Sequence, residues 1–270
     1  MFGLGGIIEQ WHRSSPSGVL DRFKDMSVQA GGENVSVAVN KYRNNDGGSH
    51  PTPGDGGTQD AIKIKDALMG LAMGDVLARA GGAQSYVDVF TGKGSPEGIA
   101  AVMVLFHDYS DKFIERYKKS GGATRVCADI LANPDMTWQA TLQAISDEFI
   151  GLDCNGFVGN WLKSCEPNFR LGPQNGPRQV YDKRKTQRNS VDEIEYWDVV
   201  VWANFSHIAA VDGVSGGGLP KVNVCQSAGG GPRMNEYTIL QAAPGMFQLS
   251  GGGVDPAWEV GGGVYIVSLW

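Results

Sequence analysis

Four cysteines and four histidines carry the nucleophilic and proton-transfer chemistry open to this 270-residue chain. The cysteines stand at 127, 154, 165 and 225, the histidines at 12, 50, 107 and 207. No two cysteines form a Cys-x-x-Cys pair, and zinc spacing with histidine is absent. Local pattern selects Cys154. After it, Phe157, Val158, Trp161 and Leu162 recur with the period of one helix face, so Cys154 opens a helix. The first turn of a helix favours negative charge, and therefore the thiolate. Its backbone N–H groups can also hold the oxyanion of a tetrahedral adduct. Gly156 leaves room for a substrate backbone. Such a thiolate needs a base, and His207 is the histidine that heads a downstream strand pattern, Ile208-Ala209-Ala210-Val211. An imidazole at the head of a strand beside the cysteine helix suits an acyl-transfer pair. His50 falls in a Gly/Pro-rich loop and His107 on a helical stretch, and neither placement suggests catalysis. Cys127, Cys165 and Cys225 read as small hydrophobes. Asp153 reads as a helix cap or loop anchor.

The elements that must position this pair change character along the chain. Residues 25–43 alternate apolar and polar about Gly31-Gly32, a β-hairpin signal. Residues 44–58 are turn-rich and read as a loop or linker. Helical periodicity follows over about 59–79, from Ser95-Pro96 to Ser120, and over 137–149. After Asp192 the texture becomes strand-like, over 196–202, 206–212, 221–227, 236–241 and 264–269. A helical first half and an antiparallel second half predict an α+β fold. We place a boundary at residue 95, with an N-terminal region over 1–95 and a hydrolase domain over 96–270.

Bulk properties exclude several classes. The chain carries 23 Lys+Arg against 29 Asp+Glu, a net charge of −6, with no basic stripe interleaved with aromatics, so nucleic acid is not an expected partner. The basic cluster at 182–188 reads as a solvated loop. The glycine runs lack the lysine and flanking helix of a phosphate loop and read as turns between strands. No apolar run reaches membrane-span length, and residues 1–9 do not form a secretory signal. Cysteine usage points to synthesis in a reducing compartment without disulfides.

Asp153-Cys154-Asn155-Gly156-Phe157-Val158 resembles the Asp-Cys-Ser-Gly-Phe-Val signature of the NlpC/P60 cell-wall cysteine peptidases. Residues 197–213, which contain Asp198-Val199-Val200 and His207-Ile208-Ala209, resemble that family's Gly-Asp-Leu-Val…His-Val-Gly-Ile-Tyr stretch. The likeness covers about residues 135–270. It implies a papain-like core, with the cysteine helix packed on an antiparallel sheet that supplies the histidine. It implies hydrolysis of amide bonds in peptidoglycan peptides without metal or organic cofactor. It also implies a third polar residue on the next strand to orient the imidazole; Gln226 is the choice, with Ser227 and Asn223 as fallbacks. On the substrate or oxyanion side stand Asp153, Asn155, Gly156 and Trp138, the last being the nearest aromatic to the family's upstream motif. Delivery by a secretion machine to the periplasm of a target cell, with a cognate immunity protein, or service as a phage lysis enzyme, would fit such an activity. A deamidase, transglutaminase or protease acting on a host protein would use the same pair. A binding module with an idle cysteine is the non-enzymatic alternative.

Overall fold

A computed structural model describes residues 14–43, 57–216, 219–252 and 262–270. Residues 1–9 and most of the expected linker at 44–58 lie outside the described residues, as do His12 and His50. The fold is mixed α+β, as the sequence texture predicts. The chain forms two compact units, one of residues 22–153 with 228–232, the other of 154–227 and 233–270 together with the described part of 1–21.

The first unit is helical around one hairpin. Strands β1 (Met26–Ala30) and β2 (Glu33–Val37) pair antiparallel, with Ala30 opposite Glu33. Gly31 and Gly32 both take positive φ, the two-residue turn whose twist matches that of the strands. The inward face of the hairpin (Met26, Val28, Ala30, Val35, Val37) is buried. Among the described residues six helices follow, beginning with α2 (Gly57–Arg79), which is kinked at Ala72, and α3 (Ala83–Phe90); α1 (Pro16–Lys24) precedes the hairpin. The stretch expected as one helix from 95 to 120 is two, α4 (Pro96–Asp108) and α5 (Ser110–Tyr117). The break is at Tyr109, whose φ of −109° and ψ of 10° leave the helical region. Next come α6 (Ala123–Leu131) and α7 (Trp138–Phe149). Ser95 Oγ accepts from Gly98 N and Thr137 Oγ1 from Ala140 N, so both α4 and α7 start on the side-chain caps their sequences offer. Helix α4 packs on β1 and α7 on β2, which groups residues 96–153 with the hairpin in this unit.

The second unit is a sheet with the cysteine helix α8 (Cys154–Cys165) against it. After α9 (Pro177–Asp182) come β3 (Thr186–Gln187), β4 (Val199–Trp202), β5 (Ile208–Ser215), β6 (Lys221–Ala228), β7 (Gly231–Ala243), β8 (Met246–Gly251) and β9 (Val264–Ser268). Their order is β3-β9-β4-β5-β6-β7-β8, and β8 also pairs with β9. That pairing closes a six-stranded barrel and leaves β3 as an outer strand on β9. The inner face is apolar at alternate positions, as strand geometry requires: Val200, Trp202, Ala209, Val211, Val222, Val224, Tyr237, Ile239, Phe247, Val264 and Ile266. Closure removes sheet edges that would otherwise expose unpaired backbone.

Candidate active site

Helix α8 packs against β5 through a face of Phe157, Val158, Trp161 and Leu162, all buried. Trp161 also donates from Nε1 to the carbonyl of Ser14 at 3.0 Å. Gly159 is required on this helix: a Cβ there would lie 2.2 Å from Pro173 N, so only glycine lets the 172–173 segment cross so close. Cys154 is the first residue of α8 and is 3 % exposed. First-turn N–H groups of a helix point away from its own carbonyls and are the donors an oxyanion needs. Asn155, half-buried, has its side-chain oxygen 3.9 Å from the sulfur. The buried Gly156 accepts at its carbonyl from Asn160 Nδ2, at 2.8 Å.

His207 immediately precedes β5, and its carbonyl accepts from Trp202 N at 3.1 Å. By strand alternation its side chain belongs to the same face as Ala209 and Val211, and Gln226 to that of Val222 and Val224. Both residues therefore extend the apolar inner face into a polar end. His207 Nε2 and Gln226 Oε1 are 2.8 Å apart, and both residues are buried. The edge of the imidazole stands against Trp202, with ring centroids 4.7 Å apart. Asn223, the farthest fallback for the third position, sits beside Gly213. Sequence parity alone left these strand positions open.

The hydrogen bonds beyond Gln226 fix where the imidazole proton resides. Arg233 Nε can only donate, and it donates to Asn235 Oδ1 at 3.1 Å. Asn235 Nδ2 donates to the carbonyl of Gly252. With the Asn235 oxygen so placed, Gln226 must present Nε2, which donates to Asn235 Oδ1 at 3.1 Å and to the Tyr237 hydroxyl at 2.8 Å. Gln226 Oε1 then faces His207 as an acceptor, so Nε2 of the imidazole carries the proton and Nδ1 carries the lone pair. A buried chain of donors and acceptors thus sets the tautomer. Burial pushes the imidazole pKa down to about 4; the Gln226 hydrogen bond opposes this and the Arg233 charge adds to it. The histidine is a neutral base at neutral pH.

Arg233, Asn235 and Tyr237 were not anticipated. The signal was present, since they alternate along β7 in phase with the apolar Ile239, and polar residues on an apolar strand face mark a buried network.

Other sequence-nominated residues have different surroundings. The Asp153 carboxylate is 1 % exposed and paired with Lys93 Nζ at 2.6 Å, while its N–H donates to Gly92 O. It anchors the segment entering α8, and its carboxylate is committed to that lysine. Trp138 opens α7 in the helical unit, with its ring edge-on to His107 at 4.4 Å. His107 Nδ1 lies 2.8 Å from Asp108 Oδ1. Cys127 and Cys225 are buried, and burial pushes the Cys127 thiol up. The four cysteines form no disulfide. The basic cluster is not a solvated loop throughout: Thr186 and Gln187 form β3, and Arg188 grips the buried Asp198 with two bonds of 2.8 and 2.9 Å. Asp198 also accepts from Glu195 N. No group of His, Cys, Asp and Glu among the described residues could hold a metal ion, and no described helix is long and apolar enough to cross a membrane. No family model matches the chain, and neither a curated protein nor a solved structure is significantly similar to it.

Proposed function

We propose that this protein is a cysteine amidase or endopeptidase that cleaves an amide bond in peptidoglycan peptides, on a papain-like core of the NlpC/P60 type. One observation carries the reading. A buried histidine is held in a single tautomer by Gln226, at the head of the strand on which the Cys154 helix packs. The same chain keeps the imidazole neutral and in one orientation, as a general base requires. A second feature supports the family likeness. Trp197 stands where the resembling motif has glycine, and its φ is +72°, the left-handed region glycine takes without penalty.

In this mechanism His207 Nδ1 takes the thiol proton of Cys154, and the sulfur attacks the amide carbonyl. First-turn N–H groups of α8 receive the developing oxyanion. The imidazolium, its Nε2–H on Gln226, protonates the leaving nitrogen as the C–N bond breaks. Water then loses a proton to His207 and attacks the thioester, releasing the carboxylic acid and restoring the thiol. The low basicity of His207 costs something here, which contact with the thiolate offsets once the ion pair forms.

The test is digestion of purified sacculi by wild-type protein and by Cys154→Ala, with fragments read by mass spectrometry. New amine and carboxyl ends from wild type alone are expected, and they identify the bond. Absence of release by wild type, while Cys154 is alkylated readily near neutral pH, would direct the same chemistry to a protein substrate.

A further inference from the structure

At the histidine end of β4 and β5, five side chains from three segments make an aromatic shelf with a cationic rim. Tyr181 comes from α9, Phe205 from the turn between β4 and β5, and Tyr265 from β9 opposite Val201. Their ring centroids lie 5.5 Å (Tyr181–Phe205), 4.8 Å (Tyr181–Tyr265) and 6.3 Å (Phe205–Tyr265) apart, and all three rings are half-buried. Arg178 lies over the Phe205 ring at 3.7 Å and Arg184 over Tyr181 at 3.9 Å. Arg184 is further fixed by donating to the Tyr181 carbonyl at 2.8 Å.

Two observations go beyond packing. Phe205, two residues before His207, has a φ of +58°, a conformation costly for a bulky side chain. Its N–H donates to Trp202 O at 2.7 Å, which holds the strained turn closed. Asparagine or glycine would fill this turn more cheaply, so the ring itself is what the position retains, and such strain concentrates at binding sites. Second, Arg178 is exposed and makes no ion pair among the described residues, in a chain of net charge −6. A guanidinium lying flat on a ring keeps its N–H edge outward, in the fork that matches a carboxylate.

We propose that this shelf binds a free carboxylate of the amide substrate, with the rings receiving the adjoining apolar part. The inference deepens the amidase reading and rests on it. It places substrate recognition on the 166–195 segment and the β4–β5 turn.

The test uses the Cys154→Ala full chain, so that binding is read without turnover. The probes are stem-peptide fragments from sacculi, with their carboxylates free or converted to primary amides. The free form is expected to bind about tenfold more tightly, the scale of one charge-assisted pair. Arg178→Gln with Arg184→Gln is expected to bring that ratio to about one. Phe205→Gly is expected to weaken both probes while the melting temperature stays near that of the parent, because glycine accepts the turn freely. A ratio of one in the parent, or a preference that survives loss of both arginines, overturns the proposal. A melting temperature that falls with affinity unchanged removes Phe205 from it. If the preference holds but wild-type protein cleaves no sacculi, the amidase reading fails and carboxylate binding stands.

Discussion

Asp153 and Asp198 are each 1 % exposed, and each meets a cation: Lys93 at 2.6 Å in one case, Arg188 in two bonds in the other. His207 is as deeply buried, yet its ring nitrogen meets a neutral amide. Two solutions to one problem are on display. Each carboxylate has a cation beside it inside the fold, so the pairing is part of the architecture. The imidazole is kept neutral and oriented, and charging it requires a partner that the resting fold does not supply from Gln226. Of the described buried polar residues it is the one whose ordinary pKa lies near neutrality. A paired charge holds the fold; an oriented neutral base is suited to proton transfer.

The largest expected effect breaks the functional side. His207→Gln should lower kcat/KM on sacculi on the order of a thousandfold, as removal of a general base does, with a melting temperature close to wild type at pH 7. A comparable loss of stability at pH 7 would make the histidine architectural too. Arg188→Met tests the other side. It strands the Asp198 carboxylate and should destabilise by about 3 kcal/mol in denaturant unfolding. Adding Asp198→Leu should restore most of that, since the pair as a whole contributes little against apolar packing.

Acid titration separates the two regions without a cleavage assay. The folded pKa of His207, about 4, lies below the ordinary 6.5. The unfolded chain therefore binds a proton first as pH falls. The stability linked to the neutral imidazole is full above pH 6.5 and is lost as pH drops towards 4. At roughly 1.4 kcal/mol per unit, the full effect is about 3 kcal/mol. Burial pushes Asp198 the other way: its raised pKa favours the folded state as pH falls, so this pair cannot cause the loss. The unfolding free energy should thus fall between pH 6.5 and 4 in wild type and fall less steeply with pH in His207→Gln. An unchanged slope in the variant would remove His207 as the source.

Legibility in the sequence followed the range of the interactions. The Gly31-Gly32 hairpin and the face of α8 were readable because their patterns are complete within a dozen residues. Barrel closure was not. Strand β8 is a short segment between Gly245 and Gly252, and its pairing with β9 depends on chain far away. The break at Tyr109 left no proline or glycine to mark it, and the tyrosine hydroxyl instead bonds Asp75 at 2.8 Å. Arg188 was hidden among solvated neighbours, because a buried Asp198 partner ten residues on cannot be told from composition. Gln226 was narrowed to one strand but separated from Ser227 and Asn223 only by its bond to His207.

The smallest effect is the sharpest test of the tautomer argument. Asn235 contacts neither Cys154 nor His207 in any hydrogen bond described; it accepts from Arg233 and Gln226 and donates to Gly252. Through its bond from Gln226 Nε2 it constrains the orientation of the Gln226 amide, and through Arg233 it holds a charge that adds to the lowering of the His207 pKa. Asn235→Leu removes that constraint, and a flipped amide would present its NH2 to His207 and draw the ring proton to Nδ1, the nitrogen that must act as base. Losing one neutral hydrogen bond predicts a kcat reduced about threefold with KM unchanged. Nitrogen NMR of the imidazole should show Nε2–H in wild type and a mixture in the variant. Asn235→Asp keeps the acceptor for Gln226 and should keep the wild-type tautomer. If Asn235→Leu lowers kcat while the imidazole spectrum is unchanged, the residue acts through packing and the chain from Arg233 does not set the base.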